Sequence, residues 1–263
     1  MVVMDSGIIS CAVWLDGGDE ASAQRFACQQ KLPLFEAHPA GCLLLLRFCE
    51  SGISLIFSDD CAQTVGPLDV DFTQSDLMRR SVHKAYGEML VKAVGVKKYG
   101  FPLTVVDATT GLGRESFLLA AAGCEVIAME QSPVLAMLLQ QALERAIESP
   151  PCYAITQRIS LKPGDSKTLL AALKVKPDVV YLDPMFPERQ KSAKVKKSMQ
   201  YLQALVGKEA GDADELLSQA LQVAGKRVVV KRPRVGNSLM AGQRLPDFKL
   251  EGKSHRFDIY SIT

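Results

Sequence analysis

The chain has 263 residues, 48% apolar and 23% charged, and 31 Lys and Arg against 29 Asp and Glu leave a formal charge of +2. This balance excludes disordered and collagen-like classes and allows one large domain, or a catalytic domain with a small appendage. A total so near neutrality neither demands nor forbids a nucleic-acid partner, so the distribution of charge must decide.

In chain order, the start carries Asp5 and no basic stretch, so it does not read as a secretory signal. Residues 8–14 form a candidate strand, and 19–30 a short helix ended near Pro33. The apolar runs 41–48 and 53–57, separated by Cys49-Glu50-Ser51-Gly52, suit a hairpin. Residues 68–72 alternate apolar and acidic side chains and suggest a third strand. Leu77, Val82, Tyr86, Met89, Leu90 and Val94 share one face of a helix over 74–94, and 97–102 is a linker.

Strands and helices then alternate. Strands are expected over 103–107, 125–130, 159–162, 179–183, 227–231 and 255–262. Helices are expected over 113–122, 133–147, 167–173 and 213–223. Repeated βα units imply an α/β fold with a doubly wound, mainly parallel sheet covered on both faces. The organisation expected is a small β-rich N-terminal unit over 1–75 and a catalytic domain over 76–263. No apolar run approaches the length needed to cross a bilayer.

Seven cysteines (Cys11, Cys28, Cys42, Cys49, Cys61, Cys124 and Cys152) make an odd count with no CxxC pair, and His38, His83 and His255 are scattered. No metal site is expected, and free thiols point to a reducing cytoplasm.

The strongest local signal is Val105-Val106-Asp107-Ala108-Thr109-Thr110-Gly111-Leu112-Gly113-Arg114, a strand running through a Gly turn into a helix. Ligands bind at such carboxyl ends of a doubly wound sheet. Ser116 stands where a dinucleotide fingerprint would have its third Gly. The order D-x-x-x-G-x-G resembles motif I of the class I S-adenosylmethionine (SAM) methyltransferases, which implies a Rossmann-like fold and SAM as methyl donor. The next strand ends in Glu130, about 20 residues on, where an acid can accept hydrogen bonds from ribose hydroxyls. Asp165-Ser166, after the third strand, could reach the adenine amino group, although Gly-Asp-Ser is also ordinary helix-cap chemistry.

The segment Val179-Val180-Tyr181-Leu182-Asp183-Pro184-Met185-Phe186-Pro187 resembles the (D/N)PP(Y/F) motif of methyltransferases acting on exocyclic or amide nitrogens, with Met185 in place of the second Pro. Asp183 and the Pro184 carbonyl can accept the two protons of such an amine, and Phe186 offers a face on which a base can stack. These three are the candidate catalytic residues, and Asp183 also faces the cofactor. Arg189, Lys191, Lys194, Lys196 and Lys197 follow directly, and Lys226, Arg227, Lys231, Arg232 and Arg234 form a second cluster. Both clusters suit contacts to RNA phosphates, with Lys231 and Arg232 as the expected contacts of the second.

Together, DATTGLGRES (107–116), VVYLDPMFP (179–187), KSAKVKKSMQ (191–200), KRVVVKRP (226–233) and HRFDIY (255–260) resemble the bacterial ribosomal RNA small-subunit methyltransferase J family. The resemblance implies SAM-dependent methylation of a guanine N2 in small-subunit ribosomal RNA, free or in an assembling subunit. It implies no membrane and no obligate protein partner. It places cofactor contacts on Arg114, Glu115, Glu130, Gln131, Asp165, Ser166 and Asp183, beside the motif residues Asp107, Gly111 and Gly113. Thr110, Glu115 and Gln131 depart from the family's usual Ala, Asp and Arg. The alternatives are an N-methyltransferase for a protein glutamine or small amine, and a non-catalytic ribosome-assembly factor.

Overall fold

The computed structural model describes residues 9–58, 65–73, 85–100, 102–184, 197–206, 213–240 and 242–262. The chain divides into two compact units, one of residues 1–70 and 190–207 and the other of 71–189 and 208–263.

In the N-terminal unit, β1 (Ile9–Asp16) leads into α1 (Glu20–Gln30), then β2 (Leu34–Phe35), β3 (Cys42–Cys49) and β4 (Gly52–Phe57). The sheet order is β2-β1-β3-β4. Asp19 caps α1 by accepting from the Ser22 N–H at 3.1 Å, and Ala23, Phe26 and Ala27 are its buried face. Crossing over through α1 makes β1 and β3 parallel. β3 and β4 form the expected antiparallel hairpin, with Cys49 opposite Gly52. The strand expected over 68–72 reduces to one bridge, in which Leu55 and Leu68 exchange two 2.8 Å backbone bonds. Farther on, the Asp71 carboxylate accepts from the Thr73 N–H and ends the extended run in a turn.

The larger unit opens with a 3₁₀ turn at Ala85–Gly87, then α2 (Met89–Val94) and α3 (Val96–Tyr99). Of the helix expected over 74–94, residues 74–84 lie outside the described residues. The rest is interrupted at Glu88, whose extended ψ of 140° follows Gly87; α2 then ends at Val94 as expected, and Gly95 at φ +86° separates it from α3, which occupies part of the expected linker. The alternating part holds β5 (Thr104–Asp107), α4 (Arg114–Ala121), β6 (Glu125–Glu130), α5 (Pro133–Ile147), α6 (Pro150–Thr156), β7 (Ile159–Pro163), α7 (Ser166–Ala171) and β8 (Val179–Leu182). After α8 (Lys197–Val206), whose residues group with the N-terminal unit, come α9 (Ala213–Val223), β9 (Arg227–Pro233), β10 (Phe248–Glu251) and β11 (His255–Ser261).

The second sheet has the order β10-β11-β9-β8-β5-β6-β7. The five strands from β9 to β7 are parallel, while β11 is antiparallel to both β9 and β10. The four residues of β8 are all buried, as a strand covered by helices on both faces requires. One side of the core packs Val106, Val180, Leu182, Val228, Val230 and Tyr260 under α9. Sheet order turns back between β5 and β8, so their carboxyl ends flank a crevice at the switch point. No helix of the described residues is long and apolar enough to cross a membrane.

Candidate active site

The site is built from the loops that leave β5, β6, β7 and β8. β5 ends in Asp107, which is 1% exposed. Its Oδ2 accepts from the Ser116 hydroxyl at 2.6 Å and its Oδ1 from the Thr109 N–H at 3.2 Å. Burial pushes this carboxyl up to about 7, with the charges of Glu115 and Asp183 adding to the effect and the two hydrogen bonds opposing it. Asp107 therefore clamps the turn onto the first helical turn of α4. Ser116, the residue that broke the dinucleotide pattern, supplies the other half of the clamp.

Gly113 is the N-cap of α4 at φ +71°, where a Cβ would lie 2.6 Å from Leu139 Cδ2 and 3.0 Å from Phe72 Cζ. Only Gly fits there. Gly111, at φ +57°, has no atom nearer a Cβ position than the Thr109 carbonyl at 3.9 Å, so its backbone is open to close approach. Its N–H donates to Glu130 Oε2 at 2.7 Å, and Glu130 Oε1 accepts from the Ser132 N–H at 2.7 Å. Burial raises the Glu130 carboxyl, and these backbone donors hold it back. Glu130 thus joins the ends of β5 and β6.

After β7, the Ser166 hydroxyl donates to the Ala108 carbonyl at 2.6 Å and is buried, tying α7 to β5. Asp165 is exposed and caps α7, accepting from the Thr168 N–H at 3.0 Å and its hydroxyl at 2.8 Å. Burial acts to raise its carboxyl, but those bonds and Lys167 together outweigh it and hold it below the ordinary range. Arg114, the first residue of α4, and Gln131, just after β6, are exposed.

Asp183 follows β8. Its N–H donates to the Thr109 hydroxyl at 2.6 Å, which couples the Asp-Pro segment to the Gly turn. Its Oδ2 accepts from Lys231 Nζ at 2.6 Å, and the same ammonium reaches Glu115 Oε1 at 3.0 Å. Burial raises the Asp183 carboxyl, Lys231 lowers it, and Glu115 raises it again. Burial also acts to lower the Lys231 ammonium, but the two carboxylates outweigh it and the net direction is upward.

The crevice thus gathers Asp107, Gly111, Gly113, Glu115, Glu130 and Asp183. Thr109 and Ser116 belong to it and were not read from the sequence. An Asx-like acid followed by a hydroxyl was the available signal for Thr109. Lys231 was expected on an RNA-contacting surface; its ammonium instead lies between two site carboxylates, because β9 sits beside β8. Arg232 was placed with it, but its Nε donates to the Asn237 carbonyl at 3.1 Å and secures the turn after β9. Lys197 begins α8, with residues that group with the N-terminal unit. Phe186, Arg189, Lys191, Lys194 and Lys196 lie outside the described residues. Among the described residues no cluster of His, Cys, Asp and Glu is placed to hold a metal ion.

A parallel sheet with this switch point, a Gly turn clamped by a buried acid, and an Asp-Pro segment beside it define a class I methyltransferase domain. A family model described as a putative SAM-dependent methyltransferase matches residues 29–262. A ribosomal RNA small subunit methyltransferase J from Aeromonas salmonicida is 48% identical over 74% of this chain and 78% of its own length. Proteins of the same name from Hahella chejuensis (41% identity, 93% of this chain and 91% of the relative) and Coxiella burnetii (42%, 92% of each) match nearly end to end. The crystal structure of a SAM-dependent methyltransferase from Neisseria gonorrhoeae superposes with a TM-score of 0.74 at 36% identity, covering 95% of each chain. The chain belongs to the ribosomal RNA small subunit methyltransferase J family of SAM-dependent methyltransferases.

The residues fit SAM in charge and in shape. The Gly111 backbone is open to a ligand. Lys231 pairs with the carboxylates of Glu115 and Asp183, and Glu130 adds a third carboxylate at the end of β6, so acids outnumber this ammonium where a sulfonium cation would sit.

Proposed function

We propose that this chain transfers a methyl group from SAM to the exocyclic N2 of a guanine in small-subunit ribosomal RNA. The names of its relatives support the RNA class, and the Asp183-Pro184 segment supports an exocyclic amine as the acceptor. One observation carries the reading: Asp183 is anchored by its own N–H to the Gly turn, with one carboxylate oxygen held by Lys231.

Bound SAM supplies a methyl group already activated by a positive sulfur. The protein's part is to present the amine. A guanine N2 is a poor nucleophile because its lone pair is delocalised into the ring. Asp183 Oδ1 and the Pro184 carbonyl accept its two protons, which orients the nitrogen and returns lone-pair density to it. Asp183 Oδ1 takes the proton the amine gives up as the N–C bond forms and the donor's S–C bond breaks, its electron pair returning to sulfur to leave a neutral thioether. Phe186 stacks on the extruded base. Gly111, Glu115 and Glu130 contact the cofactor, with Glu130 toward the ribose hydroxyls. Gln131 and Asp165 take its adenosine edge, and Arg114 its opposite end. Asp107, Gly113 and Ser166 frame the loops. Arg189, Lys191, Lys194, Lys196 and Lys197 hold phosphates and position the RNA without reading sequence. Such a substrate places the chain with assembling ribosomes in the cytoplasm.

The test is methyl transfer from labelled SAM to small-subunit ribosomal RNA from cells lacking the protein, followed by nucleoside analysis. The expected product is N2-methylguanosine. Label in another nucleoside, or in protein and not RNA, refutes the assignment. Asp183→Ala should lower turnover at least about 100-fold, the scale of a lost preorganised polar contact, with SAM binding still measurable by calorimetry.

A further inference from the structure

Lys231 lies 48 residues from Asp183 in sequence and 116 from Glu115. The strands bring them together. β8 and β9 are parallel neighbours with Leu182 opposite Val230, so Asp183 and Lys231 are the next facing pair and share one face of the sheet. Glu115 approaches from the first turn of α4. The Lys231 side chain is only 24% exposed, and both of its ion pairs are within 3.0 Å. A lysine aimed at a phosphate backbone would keep its ammonium free in solvent. This one is committed to the two carboxylates.

We infer that Lys231 is a positioning residue for the methyl transfer: it holds Oδ2 of Asp183, sets its positive charge between that carboxylate and Glu115, and leaves Oδ1 to accept from the substrate amine. This rests on the role proposed above for Asp183. The charged and titratable groups around Asp183 are Lys231 from β9, Glu115 from α4, Asp107 from β5 and Tyr181 from its own strand. His255, at the start of β11, faces Lys231 and Glu115. Lys231 is the only cation among these that bonds to Asp183 among the described residues. Without it, burial and the neighbouring acids favour the protonated carboxylic acid. A protonated Asp183 would present a hydroxyl donor where the amine needs an acceptor, and it could not take up the amine's proton.

The signs follow. Lys231→Met raises the pH at which Asp183 ionises, so the acidic limb of the rate profile moves to higher pH and the defect shrinks as pH rises. Glu115→Gln removes a like charge and moves the limb the other way. Combining the two restores the wild-type net charge of the trio, so at saturating SAM, which offsets the loss of the Glu115 contact to the cofactor, the double variant should turn over faster than Lys231→Met alone. A side chain that only supported packing would give no such recovery.

The experiment uses the full chain. Carbon-13 carboxyl NMR of the SAM-free protein follows Asp183, assigned by the resonance missing in Asp183→Asn, across pH in wild type, Lys231→Met and Lys231→Arg. In parallel, single-turnover rates are measured against pH, and binding to a small-subunit ribosomal RNA fragment against salt. The inference expects Asp183 to titrate at higher pH in Lys231→Met. It also expects a single-turnover rate lowered about 10- to 100-fold at neutral pH, below the loss from removing a direct contact. Lys231→Arg should stay close to wild type and covers the case in which the Met variant does not fold: an Arg variant whose carboxyl titration and rate profile both match those of wild type supports the inference, and one that folds but loses the rate at every pH overturns it. An unmoved Asp183 resonance overturns the inference, as does an unchanged pH profile with an RNA salt slope reduced by about one, the mark of a lost phosphate contact. The NMR readout needs no RNA, so it judges Lys231 even if the methylated atom is not a guanine N2.

Discussion

The buried Asp107 should make this protein lose stability as pH rises, and Asp107→Asn should remove that loss. The folded carboxyl sits near 7 against an ordinary 3.8, with burial the main cause. The folded state thus holds its proton where the unfolded chain has already released it. Protonation favours folding, so the contribution is fully present below about 4 and is lost as pH climbs through about 7. A rise of about 3 pH units at about 1.4 kcal/mol each is about 4 kcal/mol. Asn is isosteric and neutral. Its carbonyl can accept from the Thr109 N–H, and its amide can donate to the Ser116 hydroxyl with that bond reversed. Urea unfolding at intervals from pH 4.5 to 8.5 gives both curves. The wild-type minus variant stability should fall by about 2–4 kcal/mol across that range, beginning in favour of wild type or near equality and ending in favour of Asn. Glu130 shifts in the same direction but is common to both proteins and cancels in the difference, while Asp183, whose charge is the smallest of the influences on Asp107, adds only a small coupled change. Parallel curves would refute the reasoning, since they would mean that Asp107 is ionised in the folded state throughout.

Gly113→Ala combines an unfavourable positive φ with a Cβ driven against Leu139 and Phe72, and should cost about 2–5 kcal/mol in denaturant unfolding; a loss under about 1 kcal/mol would show that the packed turn relaxes freely. Thr109→Val removes the acceptor for the Asp183 N–H, and should cost about 1–3 kcal/mol and lower kcat more than it raises KM for SAM; an unchanged kcat would uncouple the two loops. Neutralising Lys194, Lys196 and Lys197 together should weaken RNA binding and reduce its salt slope by about 2, at about 0.7 per single-stranded phosphate contact; an unaltered slope would remove that segment from the RNA surface.

Much of the catalytic unit was legible along the chain. Apolar runs ending in Asp107, Glu130 and Asp183 marked three strand ends, and glycines at 111 and 113 marked the turn between β5 and α4, because periodicity and positive φ are properties of a few neighbouring residues. The same locality explains the failures. No helix was expected over 150–156, yet Pro suits the first turn of a helix and opens α6. β10 has a weak pattern of its own and exists through its pairing with β11. Asp165 followed by Ser166 was readable both as a cofactor contact and as a helix cap, and the coordinates show the cap, with the carboxylate bonded to Thr168.

The charge that acts at the site had no local signature at all. Lys231 stands among Lys226, Arg227, Arg232 and Arg234, and composition alone makes it one of a basic patch. Strand order sets β9 against β8, Glu115 reaches in from the first turn of α4, and that arrangement turns one member of the patch into the bridge between Asp183 and Glu115. Backbone preference is decided by neighbours in the chain, whereas an ion pair depends on which strands are adjacent in the sheet, and adjacency is a property of the whole fold.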